Sequence, residues 1–166
     1  MKKMWILTAL IAVCGLTAFG AVALAGEGDD EFRASLNGYN EVNSKSTIAR
    51  GSFRAELDNG VIRYRLSYAN LETPALFAHI HFAQSRVNGG VIAFLCGGGD
   101  KPACPPTTGT VTGVIDPADI IGPEDQGIEA GSFAEAVRAL RAGATYANVH
   151  SNRFPGGEIR GQIGED

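Results

Sequence analysis

Charge is missing from the start of the chain: no acidic or basic side chain occurs between Lys3 and Glu27. Thiols are scarce too, with Cys14, Cys96 and Cys104 the only cysteines, too few for a four-thiolate zinc site. Tryptophan occurs once, at Trp5, and histidine three times. No His-x-x-x-His pair and no Gly-x-Ser-x-Gly elbow is present, which removes the helical zinc-protease and serine-hydrolase readings. An excess of basic residues is also lacking, since 14 Lys and Arg stand against 18 Asp and Glu. Nothing in that balance favours a nucleic-acid partner.

What the first residues do contain is a pattern. Lys2 and Lys3 form a basic start, an apolar stretch runs from Trp5 to about Phe19, and small residues follow at Ala23 and Ala25. These are the three zones of a secretory signal peptide over residues 1–25, with cleavage after Ala25. About 20 apolar residues could instead span a bilayer as a retained anchor, but the Ala, Gly and Thr near the end favour cleavage. Val13 before Cys14 argues against lipidation. Removing 25 residues from 166 leaves 141, one domain's worth, and taking two lysines with them leaves 12 basic against 18 acidic residues, a net charge of −6. The expected location is secreted or periplasmic, with no membrane contact after cleavage. Cys96 and Cys104 then remain as an even pair, which in an exported protein reads as a disulfide, the alternatives being two free thiols or a thiolate metal site.

Residues 26–31 are small and acidic and predict a disordered leader, with order from about Phe32. From there apolar residues alternate with polar ones: Phe32, Ala34, Leu36; then Phe53, Ala55, Leu57; then Ile62, Tyr64, Leu66, Tyr68. Period two means half-buried antiparallel strands, and Asp58-Asn59-Gly60 between the second and third is a tight hairpin turn. Five further strands are expected at 77–83, 90–95, 109–115, 145–150 and 158–163. A single helix is expected over 132–142, because Ser132 and Glu135 form a capping-box pattern, Phe133, Val137 and Leu140 have helical spacing, and Gly143 follows. Eight short strands and one helix predict an all-β, antiparallel Greek-key sandwich or barrel.

All three histidines fall in two such strands. His79 and His81, two residues apart, point to the same face about 6.7 Å apart, while Ile80 points into the core. With 145–150 nearby, His150 completes a three-nitrogen set of the kind that copper or zinc accepts with one position open. The competing reading is three hydrogen-bonded histidines that each hold a loop. In the last strand Glu158 and Arg160 share a face and are expected to point outward as an acid and a base, a solvated or structural ion pair.

Asn40-Glu41-Val42, Ala78-His79-Ile80-His81, the 131–143 helix segment, Tyr146-Ala147-Asn148-Val149-His150-Ser151 and Gly157-Glu158-Ile159-Arg160-Gly161-Gln162-Ile163 together resemble the CHRD domain over residues 32–163. That family takes its name from a module of the animal protein chordin, which sequesters a growth factor, and it occurs as single-domain secreted proteins in bacteria. The resemblance implies a secreted binding or structural module with an extracellular ligand or protein as partner. The His-x-His plus later His is also similar to the copper ligands of copper/zinc superoxide dismutase, another Greek-key barrel. By that likeness His79, His81 and His150 would hold copper, with zinc ranked lower, Glu158 and Arg160 would stand behind the ligands, and Arg160 could guide an anion. No second histidine cluster exists for a zinc site, so the likeness carries a copper-only centre at most. Two functions follow: a secreted binding or structural module, with or without a metal held without turnover, and a copper-dependent redox enzyme. An adhesive component of the cell surface ranks below both.

Overall fold

The computed structural model describes residues 30–165. The signal expected over 1–25, with Trp5 and Cys14, lies outside the described residues. So do residues 26–29 of the expected leader. Its last two residues are in place: Asp30 accepts from Arg141 Nε at 2.6 Å, and Glu31 opens the first strand. Asp30 and Glu31 thus belong to the folded domain although they precede the apolar alternation, Asp30 being held by its ion pair and by the Leu57 N–H on its carbonyl at 3.0 Å.

All eight expected strands are present, as β1 (Glu31–Asn37), β2 (Arg50–Asp58), β3 (Val61–Ala69), β4 (Ala75–Phe82), β5 (Gly90–Cys96), β6 (Gly109–Ile115), β7 (Thr145–Ser151) and β8 (Ile159–Glu165). They form one antiparallel sheet in the order β5-β4-β7-β8-β1-β2-β3-β6. β3 and β6 are neighbours although the β4–β5 hairpin comes between them in the chain, which makes the connection a Greek key. The sheet curls until its edge strands β5 and β6 approach one another, giving a nearly closed barrel. Tyr64 on β3 donates its hydroxyl to the Leu95 carbonyl on β5 across the interior at 2.6 Å.

The local chemistry explains the elements. Asn59 and Gly60 both take positive φ between paired Asp58 and Val61, as a two-residue hairpin of this twist requires. The alternating apolar residues Phe32, Leu36, Phe53, Ile62 and Leu66 are buried, together with Ile80, Val149, Ile159 and Ile163 from the other half. One helix, α1 (Phe133–Arg141), closes an end of the barrel by burying Ala136, Val137, Ala139 and Leu140. The capping box expected at its start does not form. Ser132 stands at the cap without a capping hydrogen bond, and Glu135 bonds Arg138 at 2.7 Å instead. The Glu135 carboxylate serves this i,i+3 ion pair and also interacts with the Ser132 side chain, which leaves the Ser132 hydroxyl off the backbone N–H groups of the first turn.

Cys96 and Cys104 are joined in a disulfide with Cα atoms 5.1 Å apart. It closes a loop that bends back through Gly97 N–H to Pro102 O at 2.8 Å and is tied to Asp119 by Lys101. Replacing both cysteines by alanine should cost about 2.5 kcal/mol, the loop-closure entropy of a ring this size. A urea-midpoint shift at constant m-value reads it; no shift would mean that the unfolded chain is not constrained by the bridge.

Candidate metal centre

The barrel wall at β4, β7 and β8 is covered on both faces. Ala78, Ile80, Ala147, Val149 and Ile159 fill the interior, and every residue of β7 is buried. Loops cover the other face of these strands, so polar side chains projecting outward there are removed from water as well. Register sets the cast: Phe77 pairs with His150, His79 with Asn148, and His81 with Tyr146, while Arg160 of β8 pairs with Asn148. These residues share one face.

His79, His81 and His150 come together as the sequence predicts, each offering a ring nitrogen within 4.8 Å of the others. Their exposures are 6%, 8% and 7%. His81 Nδ1 lies 3.0 Å from the Gly89 carbonyl and His150 Nδ1 lies 2.9 Å from the Pro155 carbonyl. A carbonyl only accepts, so in both rings Nδ1 carries the proton and Nε2 is left as a bare lone pair. His79 Nδ1 lies 3.3 Å from His150 Nε2 and donates to it. His81 Nε2 is buried with no hydrogen-bond partner among the described residues. A buried nitrogen left without a partner costs about 1–3 kcal/mol, a penalty that a ligand at this point would relieve.

Aromatic rings wall the cluster. Phe94 meets His79 edge-on at 4.5 Å, Phe77 lies 4.9 Å from His79 and 4.7 Å from His150, and Tyr146 stacks parallel on His81 at 4.7 Å. Gly98 of the disulfide loop packs on the Phe94 ring, where a Cβ would collide with it, so the bridge supports one wall of the site. Burial in this apolar setting disfavours imidazolium and lowers the pKa of His79 to about 3 and of His81 to about 4. The neighbouring histidines push both the same way, against the Gly89 carbonyl at His81. Burial also lowers His150, against the raising effect of the Pro155 carbonyl. At neutral pH the three rings are uncharged, which is the ligand form.

The same shifts set a pH dependence. The unfolded histidines bind protons near 6.5, while folded His79 and His81 resist protonation until about 3 and about 4, and His150 is lowered as well. The unfolded chain therefore holds more protons in that window. Stability of the metal-free protein should fall as pH drops from 6.5 towards 4, by up to about 1.4 kcal/mol per pH unit for each imidazole. Denaturant titrations at pH 7, 6 and 5 measure it, and a flat profile would contradict the burial of the rings.

The expectation for Glu158 and Arg160 is corrected. They share neither solvent nor each other: Glu158 is 0% and Arg160 4% exposed. Loops fold over the strand face that sequence periodicity assigns to water. Glu158 Oε1 accepts from Thr47 Oγ1 at 2.9 Å and from the Glu72 backbone N–H at 3.0 Å, so this carboxylate joins two loops. Arg160 pairs instead with Glu41, Nε to Oε2 at 2.7 Å, and its other nitrogens donate to the Val87 carbonyl and to Asn88 Oδ1. All three of its nitrogens are engaged, which is not the placement of an anion guide. The guanidinium lies 4.3 Å from the Tyr146 ring centroid, a cation–π contact on the ring that stacks with His81. Arg160 also holds the segment at Val87 and Asn88, whose neighbour Gly89 fixes the His81 tautomer. It thus steadies His81 from two directions.

Periodicity did not single out Glu41, Tyr146, Asn148 or Gly157. Asn148 Nδ2 donates to Glu41 Oε1 and to the Ile159 carbonyl. Gly157 has φ +121, and a Cβ there would come within 2.9 Å of Glu41 Oε1 and Asn148 Nδ2, so glycine leaves the space that this network fills. The available signal was the alternation of Tyr146, Asn148 and His150 on one face of β7.

Among the described residues no helix is long and apolar enough to cross a membrane. Neither the curated proteins nor the solved structures yield a match to this chain. A family model for the CHRD domain matches residues 32–163. That span holds β2 to β7 and α1 entire and all but the outermost residues of β1 and β8, and with them the three histidines and the Glu41–Arg160 pair. The chain therefore belongs to the CHRD domain family.

Proposed function

We propose that this CHRD domain is an exported binding module that holds a single copper ion through His79, His81 and His150, with zinc the weaker competitor. The observation that carries the reading is the unpartnered, buried His81 Nε2 facing two further neutral imidazoles. Three imidazoles suit both cations, and at a given nitrogen site copper(II) outranks zinc. Ring nitrogens about 2.0–2.1 Å from a metal at tetrahedral angles lie roughly 3.3 Å apart, the separation His79 Nδ1 and His150 Nε2 already have. His81 closes the triangle by moving inward from the present spread, in which the ligand atoms lie within 4.8 Å of one another. The ligand atoms are then His79 Nδ1 and the two Nε2 atoms, and the His79 proton moves across its own ring to Nε2. The signal-peptide pattern of the sequence over 1–25 and the disulfide support export.

Because all three rings are neutral beforehand, binding should release almost no proton at pH 7. Calorimetric titration with copper(II) and with zinc, repeated in buffers of different ionisation enthalpy, tests both points. One ion per chain, tighter for copper and with a buffer-independent heat, is expected. Absence of saturable binding by wild type, or equal binding by His81→Ala, would defeat the metal reading and leave a module whose histidines hold loops. The dismutase-type alternative needs the copper-loaded protein to consume superoxide above the free-ion background. The engagement of every Arg160 nitrogen weighs against it.

A further inference from the structure

Away from the histidines, on the outer face of β1, β2 and β3, Arg33, Arg54 and Arg65 stand in one row. Arg33 is directly opposite Arg54, and Arg54 directly opposite Arg65, with Thr112 of β6 next in line. Neighbouring strands are about 4.8 Å apart, so the three side chains root within roughly 10 Å. Like charges directly opposite one another across a sheet destabilise it. Arg33 is paired with Glu31 at 2.8 Å, whereas among the described residues neither Arg54 nor Arg65 has a carboxylate partner. This concentration of positive charge sits in a chain of net charge −4.

The next row along the strands, about 6.7 Å away, is made of hydroxyls: Ser35 opposite Ser52, Ser52 opposite Ser67, and Ser67 opposite Thr110. Shallow depressions lie over both rows, one lined by Arg33, Arg54, Arg63 and Arg65 with Glu31 and Glu56, where arginines outnumber carboxylates, and the other by Ser52, Ser67 and Thr110 with Arg50. We propose that this face binds a linear anionic polysaccharide, its carboxylate or sulfate groups on the arginine row and its sugar hydroxyls on the serine and threonine row. Arginine forks match planar carboxylates and sulfate oxygens in pairs of hydrogen bonds. Charge complementarity selects an anion, and the hydroxyl row selects a partner rich in hydroxyls. Exposed positions of these strands carry no aromatic ring, so unstacked bases would find no platform, which favours a glycan over single-stranded nucleic acid. The proposal does not depend on the metal centre.

The test uses fluorescence anisotropy at 50 mM and 200 mM NaCl with labelled polygalacturonate oligomers and dextran sulfate of equal length. Binding to at least one of them is expected, weakening as salt rises, and the tighter of the two identifies the anionic group. Arg54→Gln with Arg65→Gln should weaken it at least tenfold, while Arg54→Lys with Arg65→Lys should recover part of the loss. The glutamine pair should unfold no earlier than wild type on heating, because it relieves a repulsion. His81→Ala should bind the glycan as wild type does. Failure of wild type to bind either oligomer at 50 mM NaCl, an unchanged affinity in the glutamine pair, equal binding of neutral dextran, or tighter binding of single-stranded DNA would overturn the proposal.

Discussion

Arg160→Met is expected to lower the unfolding free energy by about 3–5 kcal/mol, the usual cost of breaking a buried ion pair from one side. Glu41 and Arg160 have side chains only 1% and 5% exposed, so the carboxylate left behind has no route to water. Even with Arg160 in place, burial raises the Glu41 pKa, outweighing the guanidinium, Asn148 and Lys45, which all lower it. A carboxyl whose folded pKa is raised favours the fold below its unfolded value and loses that advantage as pH rises through the folded one. Without the guanidinium the pKa climbs further, so the deficit of Arg160→Met relative to wild type should be largest near neutrality and shrink towards pH 5. Urea titrations of both proteins at pH 7 and pH 5 read it. Pairing Arg160→Met with Glu41→Met should recover most of the loss, since an apolar pair of similar volume removes the stranded charge. A loss under about 1 kcal/mol at neutral pH, at the level of a surface pair, would mean that water reaches Glu41.

Copper(II) at a free concentration 1,000 times its dissociation constant should stabilise the protein by about 4 kcal/mol, because a ligand bound only by the folded state adds RT ln(1 + [L]/Kd). His81→Ala should abolish the increment. That variant keeps His79 and His150, separating loss of a ligand from loss of the fold. Its metal-free stability is expected to stay close to wild type, since the lost packing against Tyr146 is offset by removal of an unpartnered buried nitrogen. Thermal unfolding with and without copper, alongside a chelator control, makes the measurement. An equal rise in wild type and variant would place copper elsewhere.

The first three strands were legible because buried and exposed residues alternate along them, and the Asn59-Gly60 turn fixed where β2 ends and β3 begins. Legibility failed where that alternation has no contrast. β7 is buried throughout, and β8 carries buried Arg160 among Ile159 and Ile163. A periodic pattern reports faces, not what a loop folded above a face will do, so Glu158 and Arg160 read as outward. Glu41 was visible as part of a family pattern, yet its partner lies 119 residues away, a pairing that no local spacing encodes. The three histidines were readable together because strand geometry alone places two of them side by side. Their protonation was not, since it depends on two loop carbonyls, Gly89 and Pro155, and on the rings that exclude water.

His79 and His150 meet across neighbouring strands although 71 residues separate them in the chain. An unfolded chain therefore offers a cation only the neighbouring pair His79 and His81, and the third donor arrives when β7 docks on β4. That docking joins distant segments and belongs to the slower, non-local part of assembly. The triad is thus a late product of folding. Under the proposed metal reading, any ion the triad takes would be drawn from the metal supply at the place where the barrel closes.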